Sequence, residues 1–82
     1  MITILFFAQL REQLQCEKLQ LEVLTSTTVK AVRERLVIEH PQWATFLMGE
    51  KVLFSVNQIL VKESHPISDG DEVAFFPPVT GG

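Results

Sequence analysis

The sequence predicts an α+β domain, a mixed sheet packed on one main helix, and three observations carry that reading. Apolar residues alternate at a period of two in several short runs, and they recur at helical spacing in one long stretch. That stretch falls between the second and third strand-like runs, which suits a helix crossing over a sheet. At 82 residues and 46% hydrophobic the chain can fill one core and no second, so a deep, self-contained enzyme cleft is not expected.

The first run, Ile2 to Ala8, alternates Ile2/Ile4/Phe6 with Thr3/Leu5/Phe7, two apolar sets that imply a central strand covered on both faces. A short polar stretch follows around Arg11 to Glu17. Lys18 to Val23 then alternates polar and apolar as a half-buried strand does, and it is expected to form a hairpin with the first. Thr27 or Thr28 caps a helix in which Val29, Val32 and Leu36 lie on one face while Lys30, Arg33, Glu34 and Arg35 face water. Pro41 ends it near Glu39 or His40, because the residue before a proline is pushed out of helical geometry. Gln42 to Met48 should be irregular or briefly helical, anchored by Trp43 and Phe46.

Val52/Phe54/Val56 alternate with Leu53/Ser55/Asn57, and Ile59 to Val61 follows after Asn57-Gln58, a strand, a tight turn and a further strand. Ser68-Asp69-Gly70-Asp71 has the chemistry of a sharp reversal, with Gly70 able to take positive φ, and it feeds a last strand from Glu72 to Phe76. If the first and last strands lie side by side in parallel, both apolar sets are buried. This is the β-grasp, or ubiquitin-like, arrangement, with a domain over 1–76 and an extended tail over 77–82.

Ten acidic residues against seven scattered basic ones give a net charge of -3, which argues against nucleic acid as a partner. The apolar opening run has no leading positive charge and is too short to span a bilayer or to serve as a secretion signal, so no membrane association and a cytoplasmic location are expected. Cys16 is the single cysteine, which rules out an internal disulfide, and with two distant histidines it cannot supply a four-ligand zinc site.

The tail reads Pro77-Pro78-Val79-Thr80-Gly81-Gly82. Its prolines favour an extended exit from the sheet, and six extended residues reach roughly 20 Å. Gly81 and Gly82 have no Cβ, so this backbone can pass a narrow channel and bring a terminal carboxylate to a bound nucleotide or a thiol. A diglycine alone is weak evidence, since most such ends are frayed termini. Placed a few residues beyond the last strand of a β-grasp pattern, it points to activation of the Gly82 carboxylate.

On these residues the sequence resembles a known family, the molybdopterin synthase small subunits of MoaD type, which are ubiquitin-like sulfur carriers. The resemblance covers the whole chain. It rests on Ile4-Leu5-Phe6-Phe7-Ala8-Gln9-Leu10-Arg11-Glu12, on Val56-Asn57-Gln58, on Asp69-Gly70-Asp71-Glu72-Val73-Ala74, and most specifically on Phe75-Phe76-Pro77-Pro78-Val79-Thr80-Gly81-Gly82. It implies a cycle in which an E1-like adenylating enzyme transfers AMP to Gly82 and a sulfur donor, such as a cysteine desulfurase system, makes the thiocarboxylate. The tail then gives its sulfur to cyclic pyranopterin monophosphate in the large subunit of the synthase, within a heterotetramer of two small and two large subunits. The resemblance implies no cofactor on this chain, with ATP used by the adenylating partner, and the absence of a G-x-x-x-x-G-K loop agrees. The chain is thus expected to be a sulfur-donating subunit, not catalytic alone. The alternatives are a ubiquitin-like modifier joined to lysines, which differs in the nucleophile that attacks Gly82, and a thiamine-pathway sulfur carrier.

Strand parity puts Phe7 opposite in direction to Ile4 and Phe6, and Phe76 opposite to Phe75. Phe7, Leu60 and Phe76 then form an apolar patch on the sheet face without the helix. At the matching positions the family contacts its large subunit, with Arg11 offering a rim ion pair and Pro77 to Thr80 entering the partner. The alternative is that Trp43 or a loop covers these side chains. Cys16 beside Glu17 reads as an incidental thiol, and His40 and His65, each preceding a proline, read as turn residues. Asp69, Asp71 and Glu72 lack the spacing of a calcium loop and read as a turn.

Overall fold

A computed structural model describes residues 1–23 and 25–77. In chain order the elements are β1 (Ile2–Phe6), α1 (Ala8–Leu14), β2 (Lys18–Leu21), β3 (Thr27–Thr28) and α2 (Val29–Glu39). A 3-10 turn (Pro41–Trp43) and α3 (Ala44–Leu47) lead to β4 (Leu53–Val56), β5 (Ile59–Val61), β6 (Pro66–Ile67) and β7 (Glu72–Phe76). The main sheet has the order β2-β1-β7-β4-β5, with β1 and β7 parallel and the other pairs antiparallel. A mixed sheet with α2 across one side is the β-grasp expected from the sequence. The two-residue strands β3 and β6 add a small antiparallel ladder.

The core fills the space between sheet and helices. Ile4, Phe6, Val73 and Phe75 meet Val29, Leu36 and Leu47, all 0–1% exposed. Phe75 stacks on Phe6 and meets Phe54 edge-on, with ring centroids 5.8 and 5.7 Å apart. The Thr28 hydroxyl accepts from the Ala31 N–H at 3.2 Å, capping α2, and the helix ends at His40 before Pro41. Trp43 is buried against the edge of Phe6 and Phe46 is half-buried, so both anchor the connection, but Leu47 is its innermost side chain.

Three expectations are corrected. The polar stretch after β1 is helix α1, while the expected antiparallel pairing of β1 with β2 stands, the helix forming their connection. Leu10 and Leu14, four apart, bury one side of this helix, and Gln15 at φ 53 closes it with its N–H on the Arg11 and Glu12 carbonyls.

Arg33 does not face water but is buried. It shares the inner stripe of α2 with Val29 and Leu36, and its guanidinium is fully engaged there. Nε donates to the Leu47 carbonyl, Nη2 to the Gly49 carbonyl and Nη1 to Glu63 Oε2 at 3.1 Å, with the Phe54 ring 5.1 Å away. These bonds offset the desolvation of the charge and tie α2 to the loop before β4. Arg33→Lys keeps the charge but cannot reproduce the planar fork. Chemical denaturation should show it less stable by about 1–2 kcal/mol.

The third correction concerns β1, whose second face is not covered. Thr3 and Leu5 are half-buried and Phe7 is exposed, and among the described residues no element packs over them. Their partial burial comes from neighbouring strands in the sheet.

Two turns fix the end of the sheet opposite Phe76. Asn57 and Gln58 both take positive φ, 51° and 71°, the geometry of a type I′ hairpin turn that follows the twist of the strands. Gly70 at φ 91° turns the chain into β7. Asp71 joins the two turns, accepting from the Ser68 N–H at 2.8 Å and from Asn57 Nδ2 at 3.1 Å, while Asn57 Oδ1 accepts from the Glu72 N–H at 3.0 Å. The Ser68 bond, then the Asn57 bond, hold the Asp71 carboxyl below its ordinary value of 3.8. A folded-state pKa lowered in this way gives stability that is present above the ordinary value and lost as pH falls through the lowered one. The melting temperature of the wild type should therefore exceed that of Asp71→Asn at neutral pH, and the gap should close only below the usual carboxylate range.

Candidate functional site

The candidate site is the uncovered face of the sheet together with the point where the chain leaves β7. Alternation along the strands builds it. Phe75 points into the core and is fully buried, so Phe76 points out and is half-buried. Phe7 sits one residue past β1, where its N–H donates to the Phe75 carbonyl at 3.2 Å and extends the parallel ladder. Ala8 at φ 52° then turns the chain into α1. The register brings the Phe7 and Phe76 rings together, nearly parallel at 7° with centroids 4.9 Å apart.

Two residues further into the sheet, a row crosses four strands on the same face. Leu5 pairs with Ala74, Ala74 with Ser55, and Ser55 with Leu60. Leu60 stands proud on the edge strand β5, 68% exposed, and Leu53 opposite Phe76 is 38% exposed. Small residues in the middle and large ones around them make a hollow of about 550 Å³, with Gln58 and Glu72 on its polar side. Phe7, Leu60 and Phe76 therefore share one concave apolar surface. Trp43 does not cover it, being held on the opposite side of the sheet against Phe6, with His40 stacked on it at 3.9 Å.

Leu5, Leu53, Ser55 and Ala74 belong to this surface and were not singled out by sequence reasoning. The signal available was parity, since Ala74 lies between the inward Val73 and Phe75, and Ser55 between the inward Phe54 and Val56. Arg11 is exposed on α1, forms no ion pair among the described residues and does not border the hollow. Pro77 is half-buried beside a second hollow of about 470 Å³ between α1, α3 and the loop before β4, where Gln9, Gln13, Phe46 and Lys51 contribute. Pro78, Val79, Thr80, Gly81 and Gly82, the rest of the expected tail, lie outside the described residues.

Other chemistry-bearing side chains have structural settings. Cys16 Sγ lies 3.7 Å from the Lys18 carbonyl. The His65 carbonyl accepts from the Val29 N–H and its own N–H donates to the Lys62 carbonyl, which joins the segment after β5 to the start of α2. Among the described residues no group of three His, Cys, Asp or Glu side chains is placed to hold a metal ion, and no helix is long and apolar enough to cross a membrane.

A β-grasp whose sequence ends in Gly-Gly is an arrangement that ubiquitin-like carriers and modifiers share. The profile of the ThiS family matches residues 4–82. The chain belongs to the ThiS family. Within this family it is similar along its whole length to the molybdopterin synthase sulfur carrier subunit of Escherichia coli strain K12, at 48% identity over 82 residues and 100% of both chains. The same subunit of Haemophilus influenzae is 45% identical, again over 100% of both chains. The crystal structure of SAMP1 from Haloferax volcanii superposes with a TM-score of 0.82 at 27% identity, covering 99% of this chain and 98% of that one. Among ThiS-family proteins the chain thus stands with the molybdopterin synthase sulfur carriers, as its motifs implied, and its role is that of a carrier subunit acting with a synthase partner.

Proposed function

We propose that the carboxylate of Gly82 is the group this subunit carries. An adenylating enzyme joins it to AMP with release of pyrophosphate, and a sulfur donor then displaces AMP to leave a terminal thiocarboxylate. A free carboxylate resists attack by sulfur until it holds a good leaving group, and AMP is one. ATP is bound by the adenylating partner. The thiocarboxylate next enters the large subunit of molybdopterin synthase and gives its sulfur to cyclic pyranopterin monophosphate, in an assembly of two small and two large subunits. Gly81 and Gly82 bring the thread to the reacting centre, Pro77, Pro78, Val79 and Thr80 carry it into the partner and contact it on the way, and Phe7, Leu60 and Phe76 dock the globule, with Arg11 at the rim.

The observation that carries this reading is the uncovered apolar hollow beside the residues from which the tail departs. An exposed concavity ringed by two stacked phenylalanines and a prominent leucine costs solvation unless a partner covers it. The test is intact-mass spectrometry of the chain incubated with ATP, an E1-like adenylating enzyme and a sulfur donor. The mass should rise by about 16 Da, sulfur replacing oxygen, and fall back when the large subunit and cyclic pyranopterin monophosphate are added. An unchanged mass under conditions that release pyrophosphate would refute the thiocarboxylate.

A second reading is supported by the likeness to small archaeal modifier protein 1 of Haloferax volcanii. There the activated Gly82 is attacked by a lysine amine in place of sulfur. Recovery of isopeptide-linked conjugates from cells, without a thiocarboxylate pool, would favour it.

A further inference from the structure

The two sides of the chain's exit from β7 differ. Phe76 turns to the open face, so Pro77 turns to the side that carries the helices, where it is half-buried at the edge of the hollow of about 470 Å³. Leu10 of α1, Phe46 of α3 and Val52 give this hollow an apolar floor, with Gln13, Thr45 and Lys51 around it. The antiparallel register that pairs Leu53 with Phe76 carries Val52 next to Pro77. The loop on the far side is fixed from behind, because Arg33 donates to the Leu47 and Gly49 carbonyls. The hollow is therefore a built feature of the domain and not a gap between loose segments.

The chain itself supplies a side chain to cover it. Five residues follow Pro77, and an extended backbone sends every second side chain to one side, so Val79 shares the direction of Pro77 and arrives over the floor about 7 Å further on. Seating it costs little. Pro77 and Pro78 have φ set by their rings, so the backbone of Val79 is the main one to be fixed, against the gain from burying its methyls. The attachment is covalent, so nothing has to be collected from solution. Gly81 and Gly82 lie beyond, and their larger backbone freedom need not be given up. Opposing terms of similar size give a seat that is taken part of the time and readily left.

We propose that the hollow between α1 and α3 is a resting seat for Val79, occupied in the free carrier and left when the tail enters a partner. The inference rests on entry of the tail into the large subunit, as proposed above, and adds to it a self-contact that competes with that entry. A partner then binds only the unseated fraction of the carrier, and its apparent affinity is lowered by that fraction.

Nuclear magnetic resonance of the free chain with labelled valine methyls, assigned by comparison with Val79→Ala, reads the contact directly. The Val79 methyls are expected to cross-relax with the Phe46 ring and to resonate away from their positions in a peptide of residues 75–82. Thr45→Trp, which lays a ring into the hollow from its exposed rim, should remove both signs and bind the large subunit at least about threefold more tightly by calorimetry. If Thr45→Trp fails to fold, Gln13→Trp blocks the hollow from α1, and the methyl measurement stands on the unsubstituted chain. Val79 methyls at the peptide positions, without cross-relaxation to Phe46, overturn the seat. A seated Val79 with unchanged or weaker affinity in both blocked variants overturns the competition. A large subunit that binds neither the blocked nor the unsubstituted chain refutes the tail entry proposed above, while the methyls of the free chain still decide the seat.

Discussion

Removal of Gly82 alone should abolish gain of the sulfur mass while leaving the melting temperature of the domain unchanged. The chemistry is sensitive because the reacting carbon moves. Shortening the thread by one residue draws the carboxylate back by about 3.5 Å, and displacements of roughly 1 Å from a reactive geometry already cost about a hundredfold. The fold is insensitive because every core side chain among the described residues lies at or before Phe75. The truncated chain also retains Phe7, Leu60 and Phe76, so it should still occupy the large subunit. It is therefore expected to inhibit synthase turnover in competition with the intact carrier. Intact mass after incubation with ATP and donor, and product formation in mixtures of the two chains, read both effects. A truncated chain that acquires sulfur at the wild-type rate would remove Gly82 from its proposed role.

What the sequence revealed and what it hid follow from how side chains report their surroundings. β1, β4 and β7 were legible because large apolar residues repeat every second position, and α2 because Val29, Val32 and Leu36 repeat at helical spacing behind a threonine cap. The parallel pairing of β1 with β7 followed from two apolar strands needing one buried centre. Helix α1 was hidden because it buries only Leu10 and Leu14 in a run otherwise made of glutamine, glutamate and arginine. Arg33 was misplaced because a charge is buried only where specific acceptors await it, and the Leu47 and Gly49 carbonyls lie 14 and 16 residues away in the chain. The outward large residues of the open face could be read from parity, but its hollow could not. Ala74 and Ser55 act by being small, and a small residue leaves no mark in a hydrophobic pattern. The chemistry assigned to Gly82 came from the tail itself and from family resemblance, since the fold alone serves carriers and modifiers alike.

Adjacent phenylalanines on β7 should fail in opposite ways when truncated. Phe75→Ala removes a fully buried ring that contacts both Phe6 and Phe54, leaving a void between sheet and helix. Equilibrium denaturation should show a loss of about 3–5 kcal/mol, enough to unfold a large share of so small a domain. Phe76→Ala removes a half-exposed ring whose recorded ring partner is Phe7, so its stability cost should be near 1 kcal/mol. Its binding cost should be larger, at about 2 kcal/mol or some thirtyfold in affinity for the large subunit, because a ring bordering a desolvated pocket anchors an interface. The two effects separate because successive side chains of a strand point to opposite faces, one serving the core and one the partner. A Phe76→Ala chain that is strongly destabilised yet binds normally would show that the open face is closed by this chain's own residues.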